Sequence, residues 1–85
     1  MVKEIFISKV LELLKEYSKN GCKLWLAECY ERRWAYIGGY GSEYFLPPEK
    51  IITIGKFAIF GERVEENVKI NLLKDIENFL EENNG

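Results

Sequence analysis

The chain has no histidine and no glutamine, and a single aspartate, Asp75, stands against thirteen glutamates. Without an imidazole, the Ser–His and Cys–His pairs that activate a nucleophile cannot be assembled. Zinc sites lose their commonest nitrogen ligand, and no Cys-x-x-Cys takes its place, so no metal is expected. The two cysteines, Cys22 and Cys29, are seven residues apart. Along one strand that is ~23 Å, far beyond disulfide reach. Neither has a histidine or an evident helix start beside it, so both thiols are expected to be inert.

Long apolar runs are missing as well, so no membrane span is expected. The opening MVKEIFISKVLELLKEYSKN lacks a charged stretch followed by an uninterrupted apolar one. It does not read as a secretory signal, and a cytoplasmic location is the default expectation. Nor is there an excess of positive charge: 12 basic and 14 acidic residues give −2. Residues 62–85 carry seven acids and three bases, −4, which leaves +2 on the first 61. That balance disfavours phosphate-driven binding to duplex nucleic acid. Nine lysines, thirteen glutamates and no glutamine lean toward a thermophile-like composition, against which six asparagines weigh.

What is present is enough for one domain. Eighty-five residues bury ~60–65% of the surface that the unfolded chain exposes. A core of that size leaves a reason to bury a further face against a second copy or a partner. The stretch Cys22–Phe45 holds seven of the twelve aromatic residues: Trp25, Tyr30, Trp34, Tyr36, Tyr40, Tyr44 and Phe45. It reads as a hairpin of strands 22–31 and 33–40. Glu31-Arg32-Arg33, near the turn, lacks the Gly, Asn or Asp that turns prefer. An even loop puts Trp25, Ala27 and Cys29 on one face with Trp34, Tyr36 and Gly38. Leu24, Leu26, Glu28 and Tyr30 then share the other with Arg33, Ala35, Ile37 and Gly39. The even case is preferred because it gives aliphatic helices an aliphatic surface to cover.

Those helices flank the strands. Val2, Phe6, Val10, Leu13 and Tyr17 recur at helical spacing, widened by Ile7, Leu11 and Leu14, and predict a helix over 2–19 stopped by Asn20-Gly21. The stripe is wide enough for two partners. Val64, Val68, Leu72, Ile76 and Leu80 predict a second helix over 62–82, with Gly61 as N-cap. The competing reading makes VKINL a strand and starts the helix at Asn71. GSEYFLPP, 41–48, is a loop, since Pro47-Pro48 cannot enter a central strand. Residues 50–60 form a third strand, or two if Gly55-Lys56 is a tight turn. The fold class is α+β, ordered α-β-β-β-α. It has a small antiparallel sheet of three strands, or four with that turn, and two amphipathic helices packed on one face.

Little catalytic chemistry is left. Glu28 and Glu31 fall on opposite faces and cannot act on one bond; Glu43 and Glu49 read as solvated, and Glu28 is expected to pair with Arg32 or Arg33. Gly38-Gly39-Tyr40-Gly41 is not followed by a helix start, so it reads as a bulged strand end rather than a phosphate loop. The candidate partner-binding residues are Trp25, Arg32, Arg33, Trp34, Tyr36 and Tyr40. No catalytic, cofactor or metal site is expected. The function read from this pattern is a non-enzymatic protein-interaction or regulatory module, homodimeric, with a protein partner or itself as occupant. Inhibitors made by mobile genetic elements are similar in size and charge only. The alternative is a single-stranded nucleic-acid binder that stacks bases on the aromatic face beside Arg32, Arg33 and Lys56.

Overall fold

The computed structural model describes residues 3–19, 21–41 and 48–83. The elements are α1 (Lys3–Ser18), β1 (Lys23–Tyr30), β2 (Arg33–Tyr40), β3 (Glu49–Ile54), β4 (Phe57–Glu62) and α2 (Glu66–Asn83). The four strands form one antiparallel sheet in the order β2-β1-β4-β3. The chain is an α+β fold, and the four-strand form of the expectation holds. Gly55-Lys56 is the two-residue turn that makes it so. Gly55 has φ 58°, which suits glycine at the first position of the II′ turns that match strand twist.

α1 forms where its apolar residues recur at three and four. It buries Phe6, Val10 and Leu14. Gly21, at φ 92°, donates its N–H to the Ser18 carbonyl at 3.2 Å and ends the helix with a left-handed residue. Asn20, read as part of the same stop, lies outside the described residues, as does 42–47 of the loop with Tyr44 and Phe45.

α2 begins later than its spacing suggests. β4 continues to Glu62, and Arg63 then turns the chain at φ 56°. The Glu65 carbonyl accepts the N–H groups of Val68 and Lys69 at 3.1 and 3.2 Å, so the cap is Glu65 rather than Gly61. Val64 keeps the four-residue rhythm yet is not helical; it packs over Gly61, where an added Cβ would meet its Cγ2 at 2.5 Å. Val68–Leu72, the segment that could have been a strand, is helical.

Both helices lie on the same side of the sheet, α1 against β1 and β2, α2 against β3. Between the layers Val10, Leu14, Leu24, Leu26, Ile59, Leu72 and Ile76 are fully enclosed, with Phe6, Ile52 and Val68 around them. Truncating one of these leucines to alanine costs about 2–5 kcal/mol, transfer and cavity terms together. Tyr17 of α1 donates to the Asp75 carboxylate of α2 at 2.5 Å and ties the helices to one another. No helix among the described residues is long and apolar enough to cross a membrane.

Candidate interaction face

The geometry of the helix-free face follows from one turn. Glu31 and Arg32 alone connect β1 to β2, both at positive φ, 47° and 71°. That is the type I′ pattern, which matches the twist of the strands it joins. Two non-glycine residues in the left-handed region cost about 1–2 kcal/mol each, and hairpin pairing has to outweigh that cost. The loop is even. Cys29 therefore pairs with Trp34 and Ala27 with Tyr36, while Glu28 pairs with Ala35 and Tyr30 with Arg33.

A bulge then changes the second half of β2. Leu26 pairs with Gly38 and Ala27 with Tyr36, so Ile37 is the extra residue. Beyond it the faces swap relative to simple alternation. A Cβ on Gly38 would meet the Leu11 side chain of α1 at 3.2 Å, which puts Gly38 on the helix side. A Cβ on Gly39 would fall 2.4 Å from the Trp25 Cβ, so Gly39 lies on the opposite side and must be glycine for Trp25 to sit there. Tyr40, opposite Leu24, shares the helix side.

β4 completes the aromatic surface. Phe60 pairs with Trp25 and Ala58 with Ala27, while Lys50 of β3 pairs with Phe60. The Trp25 and Phe60 rings stack with centroids 5.7 Å apart, and the Trp34 ring meets Phe60 edge-on at 5.5 Å. Both distances suit favourable aromatic pairs. Lys23 holds its ammonium 5.6 Å from the Trp25 ring centroid, and Lys50 does the same over Trp34. Ala27 and Ala58 are almost wholly buried between the rings, small enough to let the indoles close over the sheet. A shallow notch of about 230 Å³ remains, lined by Trp25, Ala27, Trp34, Tyr36, Pro48 and Phe60. Trp34 stays 40% exposed and Tyr36 65%.

Of the residues singled out in the sequence, Trp25, Trp34 and Tyr36 come together here. Arg32 is exposed in the turn. Arg33 and Tyr40 belong by register to the helix side and do not join them. Phe60 is the member that sequence reasoning missed. The signal was the Gly55-Lys56 pair: with that turn accepted, Ala58 and Phe60 alternate onto the same face as Trp25. Lys56 lies in the β3–β4 turn, where its carbonyl accepts the Cys29 N–H at 2.7 Å, and lines a cleft with Glu28.

Glu28 occupies a second polar cluster, on the helix side. Its partners are Tyr30, whose hydroxyl donates to Oε1 at 2.7 Å, and Lys3, whose ammonium lies 2.9 Å from the same oxygen. They stand where sequence reading expected Arg32 or Arg33, because α1 brings Lys3 over this end of β1. The hydrogen bond from Tyr30 and then that from Lys3 hold the Glu28 carboxyl below the usual carboxylate range, and Glu28 in turn raises Lys3. A cleft of about 490 Å³ opens beside it, walled by Phe6, Ile54, Phe57 and Leu80 with Lys3 and Lys56 at the rim. Among the described residues that line this cleft, Glu28 is the one acid. Burial pushes the Cys22 thiol up, away from the reactive thiolate. Among the described residues no three Cys, Asp or Glu side chains gather as a metal would require.

No protein-family model, no curated protein and no solved structure matches this chain. Its functional reading therefore rests on the face itself.

Proposed function

We propose that the chain is a non-enzymatic interaction module that receives a protein partner on the helix-free face of its sheet. The observation that carries this is the cluster of Trp25, Trp34, Tyr36 and Phe60 on the one side of the sheet that neither helix covers. Tryptophan and tyrosine are the residues that dominate interface energies. Here Trp25 and Trp34 are both braced against Phe60, so those rings have little side-chain freedom left to lose when a partner docks. The notch accepts one apolar side chain. Lys50, held over the Trp34 ring that lines the notch, favours a partner segment with a carboxylate beside that side chain. The lack of histidine and the raised Cys22 thiol support a role without catalysis.

Capture from the source organism tests this, using wild type and the variants Trp34→Ala and Tyr36→Ala in parallel. A partner retained by wild type and lost from both variants, with circular dichroism unchanged, is the expected result. Equal retention by all three refutes the reading.

Single-stranded nucleic acid is the second reading, favoured by the exposed Tyr36 ring and by Lys50 beside the Trp34 indole. Anisotropy of labelled oligonucleotides over a salt series separates the two. Phosphate contacts give an affinity that falls with salt, and a salt-independent signal argues against them.

A further inference from the structure

The two edges of the sheet are built differently. β3, at one edge, has six residues, follows Pro48, carries Glu49 and Lys50, and is bulged between Lys50 and Ile52. Short length, charge, proline and a bulge are the devices that keep an edge from pairing with another chain. β2, at the other edge, has eight residues, RWAYIGGY, with Arg33 as its one charge and no proline. Its bulge leaves Arg33–Tyr36 in regular extended order.

α1 runs along this less guarded edge, since Leu11 packs on Gly38 of β2. Positions 4, 7, 11 and 15 share one flank of a helix. Ile7 and Leu11 are half-buried there; Glu4 and Lys15 mark its two ends, both exposed, and neither has an ion pair among the described residues. Brought together antiparallel about a two-fold axis, two such flanks set Ile7 of one copy against Leu11 of the other. The same operation sets Glu4 against Lys15, twice by symmetry.

We propose that the protein pairs with a second copy of itself along this edge, β2 beside β2 and the α1 flank beside its equivalent, closed at both ends by Glu4–Lys15 ion pairs. Strand pairing alone makes a thin contact. Adding the helix layer moves it toward the ~800 Å² a side typical of specific complexes. The helix-free face stays open on both copies, so the pairing does not depend on what docks there.

Sedimentation equilibrium from ~10 μM to ~500 μM, a range that reports micromolar dissociation constants, is the test. Wild type is expected to form dimers. Glu4→Lys and Lys15→Glu, both on the surface, each turn two attractions into repulsions and should weaken the dimer about tenfold. The double swap should restore it to within about threefold. A monomer throughout overturns the proposal, as does a dimer indifferent to the single swaps. So does a dimer broken by Lys50→Glu but not by the swaps, which would place the contact on the helix-free face.

Discussion

Tyr17 and Glu28 respond to pH in opposite directions. Burial, together with the Asp75 carboxylate that accepts its hydrogen bond, pushes the Tyr17 hydroxyl up to about 12. A group whose pKa rises on folding contributes stability that is complete below its unfolded value, about 10, and is lost as pH climbs through the folded one. Urea midpoints should therefore fall between pH ~10 and ~12, and by less in Tyr17→Phe. Glu28 carries the opposite sign. Its carboxyl is held low by Tyr30 and Lys3, so its contribution is present above the unfolded value of about 4.3 and fades as acid reaches the folded one. Glu28→Gln should flatten that acid limb of the stability profile. Gly39 matters through space rather than charge. A methyl there would sit 2.4 Å from the Trp25 Cβ and 2.6 Å from the Leu24 carbonyl oxygen. Gly39→Ala should cost about 2–3 kcal/mol in denaturant titrations as strand and indole shift apart.

The β1–β2 hairpin pairs well despite its turn. Replacing Glu31-Arg32 by Asn-Gly should relieve two left-handed non-glycine residues. We expect a gain of about 1 kcal/mol, or ~4–8 °C in Tm for a chain this small, read by calorimetry. The even loop was legible despite poor turn residues, because only that parity keeps Trp34 and Tyr36 on the Trp25 face and leaves the helices an aliphatic surface to cover. Trp25, Trp34 and Tyr36 were placed correctly for that reason. Tyr40 was not, since the bulge at Ile37 inverts everything after it. An inserted strand residue has no side-chain signature, and the neighbouring glycines marked the region without fixing the position. The start of α2 was obscured in a similar way. Val64 continues the helical spacing of Val68, Leu72 and Ile76, but it reaches the core from a connector. The same apolar positions serve both geometries, and only the left-handed Arg63 separates them.

Taken as one body, the chain has a layer of two helices, a sheet, and an outer face of rings under two lysines. With no histidine, no side chain has an ordinary pKa between about 5 and 8, and both Glu28 and Tyr17 are displaced away from that window. Unfolding free energy should stay flat within ~0.5 kcal/mol from pH ~5.5 to ~7.5, measured by denaturant titration. Partner binding that changes in that range would assign the titrating group to the partner. Both tryptophans of the chain stand on the same outer face, flanking one phenylalanine, each beneath an ammonium group. Ultraviolet emission from this molecule therefore originates almost wholly on one side of it. The protein carries a native optical gauge that brightens, dims or shifts with whatever touches those indoles, and that needs no attached dye.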